Sequence, residues 1–360
     1  MRLNTQYLAL TALLALVLAS LAGCGRIETS CATVGNVKPL CGVQMPEDIE
    51  VLPNEGGLLI AEYGHNGELT GDLVWYQPGP EATFVALVTN DNITTGAGEL
   101  WGSADCAVPD KLSPHGIHLS KRGATHQLLV VNHSSYEQVL FYEVKTSSDP
   151  QLPPALEWRG CVTFPEYAVL NDVAAVAGAG FAVTHMYNRE SQAMAQFKSL
   201  LGINKGHVWL WYPGKPATIL PNSSARLPNG IEVADDGRSV WVNNYIDQQV
   251  KQHALPSGEV LAAIHVPNID NSAWLPDGRL LQASHKSPMG MMPCFGVTEG
   301  TCAAGYELIA VDTAKGTSET LFSSSKGELF GPATVAVQYK GKLYAGSFSG
   351  DRLAEITLQK

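Results

Sequence analysis

The sequence predicts an all-β fold, a six-bladed β-propeller, and three observations carry that prediction. Short alternating apolar runs end in Asp-Gly, Lys-Gly or similar turn pairs and then begin again, which is the pattern of β-hairpins. The hairpins recur six times, beginning near Glu47, His115, Asn171, Asn229, Asp270 and Pro332, at intervals of 41 to 68 residues. A strand-built repeat of roughly 50 residues indicates propeller blades rather than a sandwich. Oxygen-bearing side chains also stand at the entrance of successive copies, which an irregular sandwich does not explain.

The elements follow in order. "MRLNTQYLALTALLALVLASLAGCG" has a charged start, a short apolar run and small residues at its end, the layout of an export signal. Its "LAGC" (Leu21 to Cys24) resembles a bacterial lipobox, so residues 1–23 are expected to be a cleaved signal peptide and Cys24 the lipidated residue. Residues 24–44 read as a tether, and residues 45–360 as the propeller. The anchor would be acyl chains rather than a helix. It places the protein in the bacterial cell envelope, and Gly25 after the cysteine resembles the outer-membrane default, on the periplasmic face. Hairpins then appear in "IEVLPNEGGLLIAEYG", "HGIHLSKRGATHQLLVVNH", "NGIEVADDGRSVWVNNY", "NSAWLPDGRLLQASH" and "PATVAVQYKGKLYAGSF", with a looser copy in "NDVAAVAGAGFAVTHMY". One segment, 188–204, lacks strand alternation. Met194, Phe197, Leu200 and Leu201 follow helical spacing there, so a helix inserted over one propeller face is expected.

The net charge is −11 and no basic run occurs, which excludes a nucleic-acid partner of the phosphate-binding kind. Besides Cys24 there are six cysteines, an even number that suits disulfides in an exported chain. Cys31 with Cys41 and Cys294 with Cys302 can close local loops, leaving Cys106 with Cys161, among fifteen arithmetically possible pairings.

Glu47 and Asp48, Asn171 and Asp172, Asn229, and Asp270 and Asn271 stand at hairpin entrances. Inner strands of a propeller converge on its axis, so these residues would meet there. Carboxylate and amide oxygens suit Ca²⁺, which takes about six to eight oxygen ligands, and match zinc or copper poorly. Glu47 and Asp270 with Asn171, Asn229 and Asn271 give two negative charges to one divalent ion. Asp48 and Asp172 supply two more, enough for a second. Asp235, Asp236 and Asp277 lie within hairpin turns and read as turn residues.

The stretches "PEDIEVLPN", "SPHGIHLS", "LLVVNH", "LNDVAAV", "NGIEVADDGRSVWV", "DNSAWLPDGRL" and "VAVQYKGKLYAG" resemble, in that order, the paraoxonase/arylesterase family within the wider gluconolactonase-like propellers. The resemblance runs from about Glu47 to the C-terminus. It implies two calcium ions. The catalytic one is held by Glu47, Asn171, Asn229, Asp270 and Asn271, and a structural one by Asp48, Asp172 and the backbone carbonyl of Ile117. It also implies His115 as the base that activates water, with His133 as its dyad partner, and His185 and His285 at the substrate-pocket wall. His118 becomes a bystander, and Gly116 is expected to let the chain turn. Two departures stand out. The family's C-terminal Cys is missing, so Cys41 must pair elsewhere or stay free. Thr184 replaces an Asp that the family uses in proton transfer, which removes support for phosphotriester hydrolysis.

The expected function is calcium-dependent hydrolysis of a small-molecule lactone or aryl ester. The competing readings are a one-metal sugar-lactone hydrolase and a non-catalytic envelope propeller that binds a partner; fold alone does not choose among them. The Asp48 and Asp172 pair favours the two-ion version.

Overall fold

A computed structural model describes residues 28–79, 82–189 and 192–358. Cys24 and the leader before it lie outside these residues. Among the described residues no helix is long and apolar enough to cross a membrane.

Six four-stranded antiparallel sheets form the six expected blades. Their first strands are Pro46–Val51, Pro114–Arg122, Leu170–Val176, Pro228–Val233, Ile269–Trp274 and Val335–Tyr339. Each touches the first strand of the next blade, and the last touches the first, so they ring the axis. The alternation read from the sequence has a packing cause: apolar residues of neighbouring blades interlock between the sheets. Leu59 and Trp75 of the first blade pack with Leu128 and Leu140 of the second. Trp209 and Trp211 pack with Phe141, and Trp241 with Leu280 and Ile309, as expected of blade packing. The core is therefore spread over six interfaces, and emptying a fully buried site such as Leu128 by Leu128→Ala would cost about 2–5 kcal/mol.

One expected boundary changes. The supposed tether contains a strand, Val37–Cys41, which pairs with Arg352–Ile356 and completes the sixth blade from outside. The N-terminal end thus closes the ring and covers an edge that would otherwise expose unpaired backbone. The disulfides match the expected set: Cys31–Cys41, Cys106–Cys161 and Cys294–Cys302. Cys41 therefore finds its partner at the end of the closing strand.

The inserted helix is Gln192–Leu200, inside the expected 188–204. Its apolar stripe does not enter the core. Met194, Phe197, Leu200 and Leu201 are all exposed, while Ala195 packs on Val169, Met186 and Tyr187.

Candidate active site

Five of the six inner strands carry a β-bulge at the same place. The register shifts between Pro46 and Asp48, Pro114 and Ile117, Leu170 and Val173, Pro228 and Ile231, and Ile269 and Ser272. The sixth, Val335–Tyr339, runs without a shift. A bulge unpairs a residue and re-aims its neighbours. Glu47, His115, Asn171, Asp172, Asn229, Asp270 and Asn271 lie in these bulges, and Asp48 borders the first, paired with Ala61. Two glycines make the crowding possible. A Cβ on Gly116 would lie 2.5 Å from the Cα of Asp172, and one on Gly230 would lie 2.7 Å from the Cα of Asn271. Gly116 thus serves close approach of the next strand rather than a turn.

A cavity of about 500 Å³ opens above this level. Glu47, His115, Asn171, Asn229 and Asp270 contribute to its lining, so the structure brings these sequence-selected residues together. Much of the remaining wall is apolar or aromatic, including Tyr63, Met186, Met291, Phe295 and Phe348. Phe197 and Leu200 of the inserted helix also line it.

The buried oxygens fall into two groups. In the upper group the amide nitrogens are engaged: Asn171 Nδ2 lies 3.4 Å from His115 Nε2, Asn271 Nδ2 donates to Glu47 Oε1 at 2.8 Å, and Asn229 bonds Asp270. The opposite atoms are left over. Glu47 Oε2, Asn171 Oδ1, Asn229 Oδ1 and Asn271 Oδ1 are buried with no hydrogen-bond partner. Buried acceptors without partners are costly, and four of them in this group suit the binding of a cation. Among the described residues no three His, Cys, Asp or Glu side chains form a metal cluster, since three of the five side chains in this set are amides.

In the lower group each carboxylate is held by backbone. Asp48 accepts from Ile49 N–H at 2.8 Å and from Ile117 N–H at 2.7 Å. Asp172 accepts from Val173 N–H and Ile231 N–H, each at 2.7 Å. It is Ile117's N–H that meets Asp48. Thr184, at the position of the missing aspartate, bonds both the N–H and the carbonyl of Asp172.

Electrostatics sharpen the contrast with an ordinary core. Burial pushes the carboxyl of Glu47 up to about 8, against the Asn271 hydrogen bond and the influence of His133. Burial, and then the charge of nearby carboxylates, holds Asp48, Asp172 and Asp270 well above the usual range. A bound divalent ion inverts that logic and favours the ionised forms.

His115 is buried and faces this floor, with Nε2 3.5 Å from Glu47 Oε1. Its Nδ1 lies 2.8 Å from His133 Nε2, and the Tyr63 ring packs on it at 4.6 Å. Burial, then repulsion from His133, pushes its pKa well below the ordinary value, so the imidazole is neutral near pH 7. Sequence reasoning missed the next member: Glu137 Oε2 lies 2.8 Å from His133 Nδ1. The signal was available, because a hairpin turn of three residues sets His133 opposite Glu137.

His185 and His285 do not line the cavity. His185 accepts from Val169 N–H and contacts Asn188. His285 bonds the Ala333 carbonyl at 2.8 Å and the Tyr245 hydroxyl at 3.1 Å. Tyr245 reaches the wall and His285 stands behind it. His118 is buried beside Glu50, 3.5 Å away, at a distance from the floor along its strand.

A closed propeller with a polar floor and apolar walls defines a class of small-molecule enzymes and binding proteins. The chain matches the arylesterase family over residues 32–352 and belongs to that family, which makes it an ester or lactone hydrolase. Solved structures share the fold at low identity. A gluconolactonase from Xanthomonas campestris is 12% identical, with 93% of this chain and 95% of that chain covered and a TM-score of 0.53. A luciferin-regenerating enzyme is 11% identical, with 89% and 94% covered and a TM-score of 0.51. A PQQ-bound aldose sugar dehydrogenase from Streptomyces coelicolor is 15% identical, with 92% and 100% covered and a TM-score of 0.50. No curated protein matches the sequence.

Proposed function

We propose that the chain hydrolyses apolar lactones or aryl esters with a calcium ion bound by Glu47, Asn171, Asn229, Asp270 and Asn271. The observation that carries this reading is the set of four partnerless buried oxygens beside a neutral His115. When bound, such an ion supplies Lewis-acid polarisation of the ester carbonyl. The oxygen donors and the two formal charges of the set suit calcium.

The chain's own residues do the rest. His115 Nε2 takes the proton of an attacking water as the water oxygen bonds the carbonyl carbon. When the C–O ester bond breaks, the leaving oxygen takes that proton back. His133 orients His115 through the 2.8 Å contact. The apolar walls hold the acyl or aryl group and exclude bulk water, and they suit a polyhydroxylated sugar lactone poorly. A second, structural ion is proposed at Asp48, Asp172 and the Ile117 carbonyl, where it would share carboxylate oxygens that already accept backbone N–H groups.

The test is a substrate panel: phenyl acetate, aliphatic lactones and a sugar lactone, each with and without a calcium chelator. Turnover of the apolar esters or lactones that the chelator abolishes is expected. Full turnover in chelator, or turnover of the sugar lactone alone, would overturn the proposal.

A further inference from the structure

We propose that Glu137, held by Arg189, is a positioning residue that sets the proton arrangement of both histidines. This rests on the reading of His115 as the base. The geometry begins with the hairpin of Thr125–His133 and Glu137–Lys145, whose register places His133 and Glu137 directly opposite. Glu137 is wholly buried. Each of its oxygens is engaged. Oε2 accepts from His133 Nδ1 at 2.8 Å and from the Leu170 N–H at 3.0 Å, and Oε1 pairs with Arg189. Arg189 is itself anchored by the Glu166 and Ala168 carbonyls. Burial alone would raise the pKa of this carboxyl, but His133, the Leu170 N–H and Arg189 together hold it below the usual range, so it is ionised.

An ionised carboxylate only accepts hydrogen bonds. His133 must therefore present Nδ1–H to Glu137, and in its neutral form this leaves Nε2 bare. That bare nitrogen, 2.8 Å from His115 Nδ1, requires His115 to carry its proton on Nδ1. His115 Nε2 is then unprotonated and faces the cavity floor, 3.4 Å from the Asn171 amide nitrogen and 3.5 Å from Glu47 Oε1. Without Glu137 both histidines could reverse their protons, and His115 Nε2–H could accept nothing from water. A tie between blades needs only the Leu170 and Arg189 contacts; the His133 contact is the one that polarises the relay.

The proton path balances. A water O–H bond breaks, its electron pair forms the new bond to carbon, and the proton joins His115 Nε2. The Nδ1 proton of His115 passes to His133 Nε2, so the positive charge comes to rest against Glu137. When the ester C–O bond breaks, the leaving oxygen takes a proton from His115 Nε2, and the Nδ1 proton returns from His133.

The test is ¹⁵N NMR of the histidine rings in the calcium-loaded wild-type protein, together with kinetics of Glu137→Gln on phenyl acetate. Both His115 and His133 should be Nδ1–H tautomers. Glu137→Gln should lower kcat roughly 10²-fold, within the range of general-base effects, with KM nearly unchanged and the tautomer signals altered. Should Glu137→Gln fail to fold because Arg189 loses its counterion, the double variant Glu137→Gln, Arg189→Met removes both charges and is expected to show the same kcat loss. His133 protonated on Nε2 in wild type would overturn the inference, as would a kcat within twofold of wild type in either variant. If instead His115→Gln itself keeps full kcat, the base reading fails, and the wild-type tautomers still report separately on Glu137.

Discussion

The upper and lower oxygen groups on the propeller axis are built from the same bulges and differ in what satisfies them. In the lower group, Asp48 of the first blade takes Ile117 N–H of the second, and Asp172 of the third takes Ile231 N–H of the fourth. Those carboxylates stitch adjacent blades together. In the upper group three amides spend their N–H donors on neighbours and leave their carbonyl oxygens, with one oxygen of Glu47, unpaired. The lesson is that one repeated bulge yields a fastening where backbone N–H groups fill it and a reactive floor where they do not.

The largest expected effect falls on the floor. Asp270→Ala should reduce hydrolysis to the uncatalysed background, because a cation's stabilisation of the transition state is worth several kcal/mol, about 10³-fold or more. Turnover of this variant close to wild type would erase the distinction between the two groups. Next, His115→Gln should lower kcat by ~10²–10⁴-fold with calcium still bound. A loss much below that range would assign most of the catalysis to the ion.

Asp48→Ala should act mainly on stability. It strands the Ile49 and Ile117 N–H groups in a buried setting, at about 1–3 kcal/mol for each buried donor left unpaired. Chemical denaturation measures this; an unchanged midpoint would mean the lower group is not a fastening. The smallest effect is a pH dependence of the metal-free protein. Glu47's folded pKa of about 8 lies above its ordinary 4.5, and Asp270 shifts the same way. Their protonated forms thus contribute stability below the ordinary carboxyl range, and that contribution is lost as pH rises through about 8. A chelator should therefore lower Tm by about 2 °C or more beyond its effect at pH ~5.5 when added at pH ~8.5. Equal shifts at both pH values would place the cation elsewhere.

Much of this was legible in the sequence, for physical reasons. Hairpin turns and strand alternation are local, so the six blades and their entrances could be read directly. The ligand-like residues stood out because the bulge recurs at one position of the repeat. What could not be read depends on distance. Val37–Cys41 is a single strand whose partner, Arg352–Ile356, lies at the other end of the chain, so its edge-closing role has no local signature. The helix stripe was legible as helical but not as to what it faces, and Phe197 and Leu200 turned out to line the cavity. His185 and His285 carry motifs like those of pocket residues, yet Tyr245 and the Val169 backbone occupy them. Glu137 was readable only by counting the three-residue turn after His133.

The most direct measurement is a calcium titration of metal-stripped protein, followed at once by phenyl acetate turnover and by Tm, for wild type and Asp270→Ala. If the partnerless floor oxygens bind the catalytic ion, wild-type turnover rises from background in step with calcium binding, and Asp270→Ala never gains it. Full turnover before any calcium is added, or equal recovery in Asp270→Ala, would contradict that claim.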